Sequence, residues 1–551
     1  MRNPMASTPA SARQMQSTNQ ITGDKRWIAL VAVMIAMFFS SLDQTVVSTA
    51  MPVIISELHG FNLYAWVFTG YILATAVTVP LYGRLSDMYG RKPFYIFGFL
   101  VFLVGSAISG MSTSITMLIA ARAFQGIGAG AMMSMPRATI GAIFNPRERG
   151  RWMGLIMGVF GLSTIIGPAL GGWITDTWSW HWVFYINMPV ALIALGMVIY
   201  ALPSVRTDHH HHIDWWGSLT LAACLVPVLL AVTWGGTTYA WGSGQELGLF
   251  AFSAVMLMLF LLNESRAPEP IIALEFFRNG TFSSAMIVTV MVSMSMFAVM
   301  LVLPIYVQGV LGMTAENSGY LMTPMMLSFI VASVIGGQII TRTGKYRALV
   351  FVGGLVMVLG SVLLTRLTVT SHWSAVVEDM VVLGLGIGSL MPAMGVIVQN
   401  IFPYKVLGTV NATQQMANTL GGAIASPILG TVLATSFATL LPQRLPAALR
   451  QMFALLTPAQ RKAFSDPQGV ISLQGQAAIH KQFTALGPQG EGLYQGFLHA
   501  VRSALTTSVK ELFWVGLIFA VLALASSFLI REIHLKQQEF FEPVEAETPA
   551  D

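Results

Sequence analysis

The sequence predicts an all-α polytopic membrane protein, and three observations carry that expectation. Of its 551 residues, 55% are hydrophobic and only 10% are charged, whereas soluble domains carry about 25% charged residues. The mean hydropathy is +0.68. Apolar runs recur along almost the whole chain, each near the roughly 20 residues that a helix needs to cross a ~30 Å hydrocarbon core.

Fourteen such runs lie near 27–53, 63–82, 94–112, 115–137, 151–173, 182–202, 215–234, 247–263, 282–307, 318–341, 347–366, 374–397, 408–436 and 512–531. Their connections set the orientation. The segments "SELHGFN", "MSTSIT", "TDTWSWH" and "GGTTYAWGSGQE" contain no Lys or Arg, whereas "GRLSDMYGRK", "NPRERGR", "RTGKYR" and "FPYK" do. Lys and Arg accumulate on the cytoplasmic side. Both termini are therefore expected inside, with Lys25 and Arg26 before the first span and Arg531 to Lys536 after the last. The net charge of +5 and pI near 9.3 follow from this topology, so no nucleic-acid partner is expected. Residues 1–24 are polar, without an apolar core or cleavage pattern, so the first span is expected to act as an uncleaved anchor.

The remaining punctuation is sparse. Cys224 is the single cysteine, which excludes an internal disulfide and a cysteine-based metal site. The run His209–His212 sits in "DHHHHID". Four consecutive histidines cannot all face one ion, so no metal is expected. One long polar connection, 437–508, is expected outside, and its "LPAALRQMFALL" stretch reads as amphipathic, either a cover over the outer mouth or a packed lid without function. An internal echo links "GRLSDMYGRKP" (83–93) to "GQIITRTGKYR" (337–347). Both have Gly at the first and eighth positions, Gly83 and Gly90 in one and Gly337 and Gly344 in the other, with a basic residue next. Repeats of this kind mark secondary transporters, here with spans seven and eight as an insertion.

Several charged residues stand inside spans, where charge is costly and usually retained for a task. Asp43 interrupts the first span in "FFSSLDQTVVSTAMP", and Arg122 with Gln125 lies in the fourth. At 1.5 Å per residue, Asp43 stands about 24 Å above Trp27, and Arg122, on a span running the other way, about 20 Å up. The two depths agree within a turn. In the twelfth span Glu378 and Asp379 are neighbours, so they point about 100° apart and at most one faces inward squarely. Arg366 is a candidate partner for the other.

Four segments in order carry a resemblance: "LDQTVVSTAMP" (42–52), "GRLSDMYGRK" (83–92), "RAFQGIGAGA" (122–131) and "GPALGG" (167–172), the last preceded by Gly158 and Gly161. With these motifs the chain resembles the major facilitator superfamily, specifically its 14-helix drug:proton antiporter branch, over roughly 27–535. The resemblance implies the major facilitator fold. Six-helix bundles would span 27–202 and 282–531, the second including the loop 437–508. Inserted helices seven and eight would lie in the linker 203–281, and cytoplasmic tails would cover 1–26 and 532–551. It implies a gating latch at Gly83, Asp87, Gly90 and Arg91, with Met88 standing where relatives usually carry a basic residue. It also implies an antiporter motif at Gly158, Gly161, Gly167, Pro168, Gly171 and Gly172, where Pro168 can kink the helix and small residues permit close helix packing.

Helices 1 and 4 would line a central cavity. Burial favours a neutral carboxyl and a nearby arginine a charged one, so Asp43, tuned by Arg122, would carry the coupling proton. The competing reading is a fixed Asp–Arg pair, or Asp43 capping a helix break. Glu378 and Asp379 form a candidate second acidic site. Gln125, Tyr71, Tyr306, Gln415 and Asn418 are cavity candidates, with Tyr320 and Gln414 beside them. Relatives often carry an Arg near these helix 13 amides.

The implied activity is proton-coupled antiport exporting amphipathic, often cationic, drugs or toxic organic compounds. The protein would work as a monomer in a bacterial-type cytoplasmic membrane, with no cofactor beyond the proton gradient. The alternatives are a lipid or fatty-acid exporter of the same fold, or a non-transporting membrane sensor. An enzyme or ATP-driven pump is not expected, because no GxxxxGK[ST] loop and no soluble domain large enough for a nucleotide occur.

Overall fold

The computed structural model describes residues 24–58, 63–203, 213–235, 239–311, 313, 315–368, 371–455, 457, 473–484 and 490–532. Lipid offers no partner for backbone N–H and C=O groups, so each apolar run must bond within itself as a helix. Fourteen described helices are long and apolar enough to cross a membrane. They are α1 (Asp24–Leu58), α2 (Tyr64–Tyr89), α3 (Arg91–Gly110), α4 (Ile115–Ile143), α5 (Pro146–Thr177) and α6 (Asn187–Ala201, whose span Trp182–Ala201 includes the turn before it), then α7 (Trp215–Trp234) and α8 (Gly244–Glu264). The second set is α9 (Gly280–Ile305), α10 (Ala315–Thr343), α11 (Arg347–Thr365), α12 (Trp373–Ile401), α13 (Leu407–Arg444) and α14 (Gly490–Ser527). A single turn, Trp182–Tyr185, leads into α6, and α9 ends in a π-helical turn, Tyr306–Val310.

Polar residues at the span edges start several of these helices by capping free N–H groups. Ser114 accepts from Met117 N at 3.2 Å, Asp214 from Gly217 N at 2.7 Å, and Asn279 from Thr281 N at 3.0 Å. Exposed tryptophans mark the span ends as well. Trp173, Trp178 and Trp182 cluster at one end in tilted and T-shaped contacts, and Trp215 and Trp216 stand out at the start of α7. Such rings favour the membrane–water boundary.

Helices α1–α6 pack into one bundle and α9–α14 into a second. The hairpin α7–α8 lies outside both. Its inner face, Leu221, Leu225 and Phe260, packs on Val77 and Leu81 of α2 and on Met416 and Leu420 of α13. The bundles meet along α2 with α13 and α5 with α10. The hydrogen bonds described below gather this contact at the end that carries the Lys- and Arg-bearing connections.

One expectation is corrected here. The stretch 437–508 is not a simple polar loop, because α13 continues to Arg444 and α14 already begins at Gly490. The last span is therefore longer than the 512–531 read from hydropathy. Between them, Ala447–Leu455 and Leu473–Thr484 are also helical. Small polar and amphipathic residues lowered the local hydropathy without breaking the helix. The segment His209–His212 and the tail beyond Glu532 lie outside the described residues.

Candidate functional site

A sealed charge cluster sits where α1, α4 and α6 converge. Asp43 is 0% and Arg122 is 1% exposed. Arg122 Nη1 donates to Asp43 Oδ2 as an ion pair and to Gln125 Oε1 at 2.8 Å. Gln125 Nε2 and Asn187 Nδ2 both donate to Asp43 Oδ1, at 3.0 and 3.1 Å. The depth match read from the helix rise thus ends in direct contact. The Arg122 guanidinium also lies 4.2 Å above the Tyr71 ring, and the Tyr71 hydroxyl donates to Ser40 O at 3.4 Å. A cation over a desolvated ring gains up to about 2 kcal/mol. Removing one partner of such a buried pair strands the other charge, at roughly 3–5 kcal/mol.

The latch motif closes the basic end. Asp87 at the end of α2 accepts from Gly408 N at 2.8 Å, Thr409 N at 2.7 Å and Thr409 Oγ1 at 3.0 Å. These are the first-turn N–H groups of α13, whose own cap position, Val406, offers no side-chain acceptor. Asp87 therefore caps a helix of the other bundle, and the negative charge suits the positive end of that helix dipole. Gly83 makes the approach: an added Cβ would overlap that of Ala412 and stand 2.8 Å from Gly408 O. Gly90 turns the chain into α3 with φ of 85°, a region that L side chains rarely adopt.

The repeat makes the same junction in reverse. Thr341 of α10, the repeat counterpart of Asp87, accepts from Arg151 N near the start of α5 at 2.9 Å. Gly337, counterpart of Gly83, packs so tightly that an added Cβ would strike Gly150 O. Gly344 has φ of 69°, like Gly90. Between the junctions, buried Arg149 donates to Gly141 O at 2.7 Å and Gln399 O at 3.3 Å. Gln399 Nε2 in turn donates to Arg137 O at 3.0 Å and Asn411 Oδ1 at 2.8 Å.

The antiporter motif of α5 faces two partners. Gly158 and Gly161 meet Ile330 of α10, while Gly167 and Gly171 are filled by Thr45, Val46 and Thr49 of α1, the segment that also carries Asp43. Ser163 Oγ donates to Ser41 Oγ at 2.7 Å along the same contact. Gly172 is different, since nothing lies within 4 Å of an added Cβ. Its part in close packing is not realised here.

Several cavity candidates are placed differently from the expectation. Gln125 and Tyr71 are sealed into the charge cluster, as a donor to Asp43 and a platform for Arg122, rather than lining open space. Tyr306 is buried on the π turn of α9, where its hydroxyl donates to Thr368 O at 2.8 Å and its ring meets Phe513 of α14. Tyr320 is exposed. Gln414 and Gln415 are buried in α13, and Asn418 accepts from Ser293 through its main-chain carbonyl. In α12 Asp379 is buried and Glu378 exposed. The anticipated pairing with Arg366 does not form, since neither acid has an ion-pair partner among the described residues.

Three residues escaped the sequence reading. Asn187 completes the Asp43 shell, and its signal was an amide two residues before Pro189 inside an apolar run. Gly150 and Gly154 form the α5–α10 contact, one and two turns before the motif glycines that were singled out.

Two six-helix bundles built around a repeated latch, with a charge cluster sealed inside one of them, define a membrane transporter architecture. A family model described as "Major Facilitator Superfamily" matches residues 33–426. The multidrug transporter protein MdtP of Bacillus subtilis (strain 168) is 34% identical over 97% of this chain and 98% of its own length. Multidrug resistance protein 3 of the same strain is 33% identical over 95% and 98%. Among solved structures, the proton:xylose symporter XylE superposes with a TM-score of 0.57 at 12% identity, covering 93% of this chain and 97% of that one, a likeness of fold alone. The chain belongs to the Major Facilitator Superfamily.

Proposed function

We propose that the protein is a proton-coupled antiporter that exports amphipathic organic compounds across a bacterial-type cytoplasmic membrane. In this reading it works as a monomer, without a cofactor, with the basic end and both termini in the cytoplasm. The observation that carries the reading is the Asp43 cluster, a sealed carboxylate held by Arg122, Gln125 and Asn187. The relatives named as multidrug transporters support the export of drugs and toxic compounds.

In this mechanism Asp43 takes a proton from the outer side and loses its hold on Arg122, which stays supported by Tyr71 and Gln125. Release of the proton inward restores the pair. Because α1 also packs on the motif glycines of α5, a change at Asp43 is passed to the helix that joins the bundles at Gly150 and Gly154. With Asp87 seated on α13, the conformation described is closed to the cytoplasm. Opening it requires the α2–α13 and α5–α10 junctions to part, as in rocking-bundle alternating access.

The test is efflux of ethidium from reconstituted vesicles under an imposed pH gradient, for wild type and Asp43→Asn. The expected outcome is gradient-driven flux in wild type that the variant loses while still binding ethidium. Equal coupled flux in both would remove Asp43 from the coupling step and direct attention to Asp379. Ligand binding without flux in wild type would instead identify a non-transporting sensor.

A further inference from the structure

Arg137 stands apart from every charge used so far. It lies in α4, about 22 Å from Arg122 along the axis toward the basic end, and is only 7% exposed. Its guanidinium forms no ion pair among the described residues, and its Nε is buried without a hydrogen-bond partner. The seam at its carbonyl is polar and holds a second buried cation, Arg149, which donates to Gly141 O and Gln399 O. Gln399 reaches across from α12 to the Arg137 carbonyl and to Asn411 of α13. The side-chain oxygens of Gln399 and of Gln414 in α13 are also buried without partners. The two buried acids of the first bundle described above are already engaged: Asp43 holds Arg122, and Asp87 holds the start of α13. Asp43 and Arg122 cancel, so Arg137 and Arg149 leave the α4–α12 seam with excess positive charge, and of the two Arg137 has a guanidinium nitrogen buried without a partner.

We propose that Arg137 binds the anionic group of one class of cargo, amphiphiles bearing a carboxylate, sulfonate or phosphate, beside the cations that the exporter reading already includes. This deepens the exporter reading and rests on it. When the cytoplasmic junctions part, the seam at Gly141, Gln399 and Leu407 opens, and the guanidinium meets incoming cargo first. A planar guanidinium pairs with such groups through two parallel hydrogen bonds. The free amide oxygens of Gln399 and Gln414 can accept from donors elsewhere on the same molecule. A purely cationic amphiphile would gain nothing from Arg137.

The test uses two dyes on one xanthene skeleton, anionic fluorescein and cationic rhodamine 123, in equilibrium binding to the purified full-length protein. Wild type is expected to bind fluorescein saturably. Arg137→Gln should weaken that binding by about tenfold or more, as expected for a charge-assisted pair, and leave rhodamine 123 unweakened. Arg137→Lys should recover part of the loss. On wild type alone, fluorescein but not rhodamine 123 should protect Arg137 from phenylglyoxal, read by peptide mass spectrometry. Lack of saturable fluorescein binding, equal weakening of both dyes, or no protection would each overturn the proposal. Arg137-dependent fluorescein binding in a protein that moves neither dye under a pH gradient would sink the exporter reading and leave the anion site standing.

Discussion

The two junctions that hold the bundles together share one plan and differ in chemistry. At α2–α13, Gly83 admits the partner backbone and the carboxylate of Asp87 takes three hydrogen bonds from the start of α13. At α10–α5, Gly337 admits the backbone of α5 and the hydroxyl of Thr341 takes one from Arg151 N. Close approach is therefore common to both halves, whereas ionic capping belongs to one. The glycines admit the close approach at both seams, and Asp87 gives one seam hydrogen bonds to a carboxylate that the other lacks.

The glycines should give the largest effect. Gly337→Val places a side chain against the Gly150 carbonyl, where no flexible atom can yield. Spin labels at exposed Arg151 and Lys405, in a chain whose single cysteine is replaced (Cys224→Ser), should show the closed distance lost altogether, with transport. A closed distance that survives would mean the shared plan is not what closes the junction. Next comes Asp87→Ala. Losing a helix cap costs about 0.5–2 kcal/mol, so the closed-to-open ratio should fall by roughly two- to thirtyfold in the same distance measurement. Thr341→Val removes one neutral hydrogen bond, worth about 1 kcal/mol, and should move the distribution least. If Thr341→Val matched Asp87→Ala, the charge of Asp87 would carry no special weight and the asymmetry between the seams would disappear.

Much of this was readable along the chain. Asp43 and Arg122 could be matched because helix rise is constant and the direction of each span follows from the Lys and Arg bias. The repeat 83–93 and 337–347 was visible as two glycines at fixed spacing, so the positions of both junctions were legible. What each junction touches was not. Nothing local in "GRLSDMYGRK" points to Gly408 and Thr409, more than 300 residues away. Tyr71 and Gln125 were read as cavity wall because polar and aromatic residues on a cavity-lining helix suit that role equally. Only the packing of α1 and α6 against α4 seals them. Arg137 could have been found by asking of "SMPRATIG" the question that Asp43 raised, since it too is a charge within an apolar helix.

The sequence by itself determined the number of spans, their order and which end carries positive charge, because the hydrophobic cost of each segment is a local sum over its own residues. It also determined where backbones can approach, because a missing side chain or a left-handed turn is a property of glycine itself. Tertiary structure alone decided that Asn187 joins Asp43, that Asp87 caps a helix of the other bundle, and that Arg137 is left without a counter-charge. Those are pairings through space, set by how helices far apart in the chain rotate and dock, and no local sum of residue properties contains that rotation.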